Sequence, residues 1–278
     1  MTDGRQDPAA ALPAASEAAL ARLATALAEP AGPVVAVTGA GASVASGVPD
    51  FRSDAGLWQR YDPVASASVE ALRADPARVW ELLWELDELL RHAEPNPAHH
   101  ALAALEEAGA VSAVLTQNPD GLHHRAGSQR VVELHGTATT LSCLACGAEL
   151  ARGEVAAAPP SVPRCTCGGV LRPDVTLFGE PPPEEALAAA TDWCSRASEL
   201  LVIGTALEVL PVAQLPDLAQ DSGARVWEIN VRPVHGLDPD ERITAPAEVV
   251  LPRVAEHVLG QRARSGWASP GERRSRSG

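Results

Sequence analysis

The chain has 278 residues, a formal net charge of −14 and a pI of about 5.0. Such an acidic protein disfavours sequence-independent binding to nucleic acid, whose phosphates attract basic surfaces. No apolar run approaches the roughly 20 residues that a membrane-spanning helix needs, and the N-terminus lacks a charged-then-apolar signal layout. We therefore expect a cytoplasmic protein whose partners include neither nucleic acid nor a membrane.

The first segments of the chain are predicted to be a disordered end and a helix. Residues 1–13 are rich in Ala and Pro, a composition that predicts disorder at a chain end. Ser16 to Glu29 is predicted to be an amphipathic helix, because Leu20, Leu23 and Leu27 recur at helical spacing.

A glycine-rich turn follows the first predicted strand. Val34 to Val37 form a short, branched apolar run, which predicts a buried strand. Gly39, Ala40 and Gly41 come next, and residues this small let backbone N–H groups approach an anion closely. A helix after the turn would direct its positive end at that anion. The dinucleotide fingerprint G-x-G-x-x-G is incomplete, because Val44 occupies the third glycine position.

Beyond this turn, strand-like and helix-like segments alternate, which is typical of an α/β domain. Helices are predicted over residues 76–92, 97–107 and 184–196, and strands over residues 111–116, 131–134, 200–203, 225–229 and 248–251, the last followed by a short helix. Residues 262–278 are rich in Arg, Ser and Gly, and we expect them to be disordered.

Polar residues recur where the predicted strands end. Besides the turn at Gly39, they are Gln117, Asn118, Asp120, His135, Gly204, Thr205 and Asn230. In an open parallel sheet, ligands bind at the carboxyl ends of the strands. We therefore expect these scattered residues to converge on one crevice.

Four of the five cysteines have the spacing of a metal site. Cys143 and Cys146 form a C-x2-C pair, and Cys165 and Cys167 follow after 18 intervening residues as a C-x-C pair. Four thiolates suit tetrahedral Zn²⁺ and leave no open coordination position, which indicates a structural ion. The short second pair leaves open a strained or weaker site. Free buried thiols are the alternative, and the clustering disfavours it.

Five motifs occur in the order typical of one enzyme family. They are GAGASVASGVPDFRS from residue 39, TQNPDGLH from residue 116, VELHG from residue 132, PDVTLFGE from residue 173 and GTA from residue 204. Together they resemble the sirtuins, the NAD-dependent protein deacylases, over about residues 32–232. The resemblance implies an α/β fold with a doubly wound, Rossmann-like parallel sheet. It also implies a catalytic domain over residues 14–261 with a smaller zinc-binding module at about residues 137–177.

The resemblance also implies roles for individual residues. His135 would be the general base, acting through the ribose hydroxyls of NAD, and Asn118 and Asp120 would line the catalytic pocket. The other residues expected to bind NAD are Gly39, Ala40, Gly41, Ser43, Asp50, Phe51, Arg52, Gln117, Gly204, Thr205, Ala206 and Asn230. Val175, Phe178 and Gly179 belong to the stretch that would pair with the substrate peptide as an added strand.

The implied reaction removes acetyl or other neutral acyl groups from protein lysines. It would consume NAD as co-substrate, release nicotinamide and O-acyl-ADP-ribose, and use one structural Zn²⁺; the partners would be proteins with acylated lysines. Protein ADP-ribosyl transfer uses the same NAD residues and stays open as an alternative. A non-enzymatic NAD or ADP-ribose sensor is disfavoured, because a sensor need not keep a base such as His135.

The resemblance also bears on the acyl group. Sirtuins that remove acidic acyl groups carry a Tyr and an Arg three residues apart on the helix that lines the acyl pocket. An alignment anchored on Asp75-Pro76 and Pro97-x-His99 places Leu83 and Leu86 at those positions. A succinyl carboxylate would be desolvated there without a partner, which costs several kcal/mol. The sequence therefore predicts a preference for neutral acyl groups.

Overall fold

In the computed structural model, which describes residues 12–50, 56 and 59–264, the chain forms a six-stranded parallel sheet, a three-stranded antiparallel sheet and helices around them. The strands are β1 (Val34–Thr38), β2 (Ala113–Thr116), β3 (Val131–Glu133), β4 (Gly136–Cys143), β5 (Glu149–Ala151), β6 (Leu171–Val175), β7 (Glu199–Ile203), β8 (Arg225–Asn230) and β9 (Glu241–Thr244). The α-helices of the described residues are α1 (Ala14–Ala28), α2 (Pro63–Ala67), α3 (Val69–Ala74), α4 (Pro76–His92), α5 (Pro97–Glu107), α6 (Leu122–Ala126), α7 (Glu184–Arg196), α8 (Leu215–Asp221) and α9 (Ala247–Arg264).

The large sheet is wound outward from β1 in both directions. Its strand order is β3-β2-β1-β7-β8-β9, and all neighbouring strands are parallel. The first half of the chain places β2 and β3 on one side of β1, and the second half adds β7, β8 and β9 on the other. The order therefore reverses between β1 and β7, where doubly wound sheets bind their ligands. The predicted doubly wound α/β architecture is confirmed.

Helices cover both faces of this sheet. β1 and β7 are buried along their whole length, as expected for strands that are packed on both sides. One face carries α1, α5 and α9, whose core includes Leu23, Leu105 and Val254. The other face carries α7 and α8 around Cys194 and Leu215. Cys194 is therefore a core residue and not a metal ligand.

The predicted helices over residues 76–92, 97–107 and 184–196 agree with α4, α5 and α7 to the residue. Each begins at or directly after a proline. No helix in the described part of the chain combines the length and apolar character that crossing a bilayer requires.

The predicted last strand, residues 248–251, is wrong. These residues lie in the first turns of α9, and the last strand is β9, which comes before them. The segment VVLP reads as a strand because two β-branched residues precede Pro252, which lacks a backbone N–H. In the structure, packing against α1 and α5 buries Val250 and Leu251 and overrides that local preference.

The expected disorder from residue 262 onward is also wrong for its first three residues, because α9 continues to Arg264. Arg262 is buried and donates to the carbonyls of Leu27 at 3.1 Å and Ala28 at 3.0 Å, and to the carbonyl of Ala108. These carbonyls lie at the C-terminal ends of α1 and α5, where a helix leaves its last carbonyls without partners. One guanidinium therefore caps two helices. The remaining tail, residues 265–278, lies outside the described residues.

We predict that Arg262→Ala lowers the free energy of unfolding by about 2–4 kcal/mol, because two buried carbonyls and one part-buried carbonyl lose a charged donor. Urea denaturation followed by circular dichroism measures the change. Arg264→Ala is the matched control, since Arg264 is exposed on the same helix and its loss should cost less than about 0.5 kcal/mol. Equal stability of the two variants would contradict the capping role.

Candidate functional site

The loops after β1 and β7 interlock at the reversal of the sheet. The N–H of Gly39 donates to Ile203 O at 3.1 Å, and the N–H of Gly41 donates to Gly204 O at 2.8 Å. A Cβ on Gly39 would lie 2.6 Å from Thr205 Cβ, and one on Gly41 would lie 2.8 Å from Gly204 O. The small residues that predicted an anion-binding turn are therefore also required for the packing of the two loops.

The turn after β1 continues as two short 3₁₀ helices, Ala40–Ala42 and Val44–Ser46, and not as the α-helix that the sequence suggested. Its conformation is held by neighbouring side chains, among them that of Ser43, which is fully buried. Asp50 is half-buried at the end of this segment. Phe51 and Arg52, which were also predicted to bind NAD, lie outside the described residues.

Asn118, Asp120 and Ser43 form one buried network at the end of β2. The Ser43 hydroxyl donates to Asp120 Oδ2 at 2.6 Å. Asn118 Nδ2 donates to Ser43 Oγ and to the Gly39 carbonyl, both at 3.0 Å. All three side chains are at least nine-tenths buried. The structure thus brings together residues that the sequence placed 75 and 77 positions apart.

Two buried histidines lie beneath this network. His99, which the sequence analysis did not assign to the site, has Nε2 3.5 Å from Ser43 Oγ, and its Nδ1 accepts the N–H of Asn96 at 3.2 Å. His123 Nε2 lies 2.9 Å from Thr38 Oγ1. Burial lowers the pKa of His99 to about 4 and that of His123 to about 3. Both rings are therefore neutral at physiological pH, and the His123 ring packs beneath the network.

His135 follows β3 and has one ring nitrogen without a partner. Its Nδ1 lies 3.1 Å from the Gln117 carbonyl and can only donate to it, so the neutral ring keeps its proton there. Its Nε2 is then a free acceptor, and it is buried without a hydrogen-bond partner among the described residues. Burial lowers the pKa of His135, while the bond to Gln117 opposes that shift. The ring is a neutral imidazole with an available lone pair at neutral pH.

Hydrogen bonds join the ends of two further strands, β7 and β8, to this centre. Gln117 Nε2 donates to Thr205 Oγ1 at 2.8 Å, and Asn230 Nδ2 donates to the Thr205 carbonyl at 2.9 Å. Thr205 thereby links the ends of β2, β7 and β8. Ala206 is exposed beside it. The polar residues at the strand ends therefore lie together, as the sequence predicted.

The predicted peptide-binding stretch runs past His135. The N–H of Thr176, next to Val175, donates to the His135 carbonyl at 2.8 Å. The backbone of Phe178 bonds to Ala67 O at 2.9 Å and to Val69 N at 3.0 Å, so its main chain is already paired. Phe178 therefore offers a ligand mainly its side chain, which is among the exposed large apolar groups. Gly179 follows with a positive φ of 89°.

The four clustered cysteines come together at one point. Their Sγ atoms all lie within 4.8 Å of one another, with separations of 3.5, 3.5 and 3.8 Å for the pairs Cys143–Cys167, Cys146–Cys167 and Cys146–Cys165. Sulfurs about 2.3 Å from a tetrahedral zinc ion are about 3.8 Å apart. The thiols therefore fit Zn²⁺, and the short C-x-C spacing does not hold the second pair apart.

The cysteine module, formed by β4, β5, β6 and the loops between them, packs on α4. Trp80 and Trp84 donate their indole N–H groups to carbonyls of the module at 3.0 and 2.8 Å. Arg152 of the module forms a bidentate pair with Asp87 at 2.6 and 2.7 Å and stacks over the Trp84 ring. Leu83 joins these tryptophans in a core that is separate from the two beside the large sheet.

Comparisons with known proteins agree with this architecture. The Sir2 family profile matches residues 39–211 of the chain. The NAD-dependent protein deacylase 2 of Pyrobaculum aerophilum is 47% identical over 226 residues, which cover 81% of this chain and 90% of that protein.

Solved structures give the same result at the level of the fold. A Sir2 homologue in complex with NAD is 37% identical with a TM-score of 0.80, covering 87% of this chain and 94% of its own. Sir2Af2 bound to a myristoylated histone peptide is 35% identical with a TM-score of 0.73, covering 89% of this chain and 99% of its own. The chain described here belongs to the Sir2 family, the sirtuins.

Proposed function

We propose that this protein removes neutral acyl groups from protein lysines in an NAD-dependent reaction. The observation that carries the proposal is the free, buried Nε2 of a neutral His135, whose Nδ1 bonds to the carbonyl of the residue before Asn118. The Pyrobaculum relative is named as an NAD-dependent protein deacylase, and a Sir2 homologue has been solved with NAD, which supports the same reaction here. The substrates would be proteins that carry acylated lysines.

The binding of NAD would use the crevice between the halves of the sheet. We infer that the interlocked turns at Gly39–Gly41 and Gly204–Thr205 receive the phosphates, because they lie at the reversal of the sheet, where doubly wound sheets bind their ligands. Asn230, held by the Thr205 carbonyl, would bind the adenosine ribose. Asn118 and Asp120 would bind the nicotinamide and its ribose.

The chemistry would begin with attack of the acyl oxygen on C1′ of the nicotinamide ribose, with nicotinamide as the leaving group. His135 Nε2 would then take a proton from a ribose hydroxyl, whose oxygen adds to the acyl carbon. The Gln117 carbonyl stabilises the ring that gains this proton, because it accepts the hydrogen bond from Nδ1. Water completes the reaction and releases the lysine amine and O-acyl-ADP-ribose.

The zinc ion would act only in structure. Cys143, Cys146, Cys165 and Cys167 supply four thiolates, which leave no position for substrate or water. The ion would hold together the module that packs on α4, and the module continues through β6 into the peptide-binding stretch.

The proposed reaction is tested by incubating the protein with NAD and an acetylated peptide and weighing all products by mass spectrometry. Deacylation gives free lysine peptide, nicotinamide and O-acetyl-ADP-ribose in equal amounts. ADP-ribosyl transfer would instead add ADP-ribose to a protein, and an absence of both products would refute the proposal.

We predict that His135→Ala lowers turnover by at least about 100-fold, as expected for loss of a general base, while affinity for ADP-ribose changes little. The measurements are kcat on an acetyl peptide and ADP-ribose titration calorimetry. His124→Ala is the control, since His124 is exposed nearby. Turnover of His135→Ala within tenfold of the parent would remove His135 from the base role.

The same group predicts a pH dependence. Burial lowers the pKa of His135 from its ordinary 6.5, so the neutral base persists as pH falls until that lowered pKa is reached. The acidic limb of a kcat/KM profile should therefore have its midpoint below pH 6.5 and disappear in the His135→Ala residual rate. A midpoint above 6.5 would contradict this assignment.

We predict a preference for acetyl- or butyryl-lysine over succinyl-lysine of at least tenfold, or about 1.4 kcal/mol. Leu83 is buried on α4 and Leu86 is half-buried one turn on. Arg60 is paired with Glu85, which also accepts from Tyr61 Oη at 2.6 Å. An acidic acyl group near this helix would therefore contact the apolar side chains of Leu83 and Leu86, and the charge of Arg60 is already neutralised by Glu85.

The measurement is kcat/KM on matched acetyl, butyryl and succinyl peptides. Leu86→Arg tests the geometry directly, because it adds an unpaired cation to this wall and should raise the succinyl-to-acetyl ratio. Equal turnover of succinyl and acetyl peptides by the parent would show that the assignment of the acyl-pocket helix is wrong.

We predict about one zinc ion per chain and its loss in Gly169→Ala. A Cβ at residue 169 would lie 2.6 Å from both Cys143 Sγ and Ala145 Cβ, so the thiol cluster would have to move. Gly153→Ala is the control within the same module, because its Cβ would meet nothing within 4 Å. Elemental analysis of both variants decides: full zinc in Gly169→Ala, or none in the parent, would contradict the assignment.

A further inference from the structure

The residue directly before α5 is a buried asparagine whose side chain makes contacts on two sides. Asn96 is only 5% exposed. Its Oδ1 accepts the N–H of Ala98 at 2.8 Å, which is the contact of an N-cap. Its Nδ2 donates to the Ala42 carbonyl at 2.8 Å and to Ser46 Oγ at 3.0 Å. The side-chain oxygen of Asn96 thus binds the start of α5, and its side-chain nitrogen binds the segment after β1.

The orientation of this amide follows from its partners. A backbone N–H on one side requires an acceptor, and a carbonyl on the other requires a donor, so the opposite placement of oxygen and nitrogen would lose both contacts. Capping of α5 needs only the oxygen, and Ser or Asp would supply it equally well. The two N–H groups of Asn96 therefore have a role that helix capping does not explain.

That role lies in the segment the donors reach. Ala42 stands between Gly41, which is locked against Gly204, and Ser43, which bonds to Asp120. Ser46 ends the second 3₁₀ helix of the same segment. Asn96 lies outside the site and holds the backbone of residues 40–46, which includes residues proposed to contact the phosphates and the nicotinamide.

We propose that Asn96 is a positioning residue for NAD, which holds residues 40–46 in the conformation that receives the dinucleotide. The inference rests on the function proposed above. Asn96 would act through Ala42 and Ser46 and not by touching NAD or substrate. Its loss should weaken the binding of ADP-ribose and leave the binding of the acyl peptide unchanged.

The test separates the N-cap contact of Asn96 from its contacts to Ala42 and Ser46. Asn96→Ser keeps an oxygen for the Ala98 N–H but is too short to reach Ala42 or Ser46. We expect its Kd for ADP-ribose, measured by titration calorimetry, to rise about tenfold. The KM for NAD should rise in parallel, while the KM for an acetyl peptide stays within twofold of the parent value.

Two further variants serve as controls. Ser46→Ala removes one of the two acceptors of Asn96 Nδ2 without altering α5, and it should weaken ADP-ribose binding about threefold. Adding it to Asn96→Ser should have little further effect on that binding. Asp75→Ser alters the N-cap of α4, which like Asn96 is followed by Pro and whose carboxylate accepts the N–H of Arg78. It should leave ADP-ribose binding unchanged.

The possible results are distinct. ADP-ribose affinity of Asn96→Ser within twofold of the parent overturns the inference. If Asn96→Ser also loses thermal stability, Ser46→Ala decides, and unchanged affinity in that variant overturns the inference as well. A parent protein that does not bind ADP-ribose refutes the proposed function itself and this inference with it.

Discussion

The site depends on the packing of two loops that belong to opposite halves of the large sheet. Gly39 and Gly41 lie so close to Gly204 and Thr205 that neither could carry a Cβ without moving the other loop. Thr205 then accepts from Gln117 through its hydroxyl and from Asn230 through its carbonyl. The contact at the reversal of the sheet therefore sets the positions of polar groups on four strand ends. A displacement of either loop would be transmitted to all of them.

Burial controls the electrostatics of the same region. Three histidines lie near the crevice, and desolvation lowers the pKa of each, so all are neutral at physiological pH. Only His135 keeps an unpartnered nitrogen together with a carbonyl that can stabilise the protonated ring. His123 also has a buried unpartnered nitrogen, but its ring contacts Thr38 and His99 beneath the network. His135 and His123 therefore differ in the partner of the second ring nitrogen, which is a backbone carbonyl for His135 and a threonine hydroxyl for His123.

Much of this arrangement is readable from the sequence, because the signals are local. Prolines and apolar spacing define α4, α5 and α7, and the strand-end residues and the cysteine spacing identify the crevice and the thiol cluster. What the sequence does not show depends on contacts between distant residues. The helical state of residues 248–251 comes from packing on α1 and α5, and the order of Arg262 comes from carbonyls more than 150 residues away. His99 and Asn96 give no sequence signal for the site, because each looks like an ordinary residue at a helix start.

The core shared by α3, α4 and the cysteine module has a consequence for cooperativity. It is separate from the two cores beside the large sheet. The cores beside the sheet form one body of buried apolar surface and this core forms a second, and the two bodies can unfold independently. One includes the nucleotide crevice, and the other includes the wall assigned to the acyl group together with the metal ligands. Unfolding of such a molecule need not be two-state, since a metal-free form can keep its parallel sheet intact while the smaller body is already open. Amide hydrogen exchange would then differ between the two bodies, with slow exchange in β1 and β7 and fast exchange in α4.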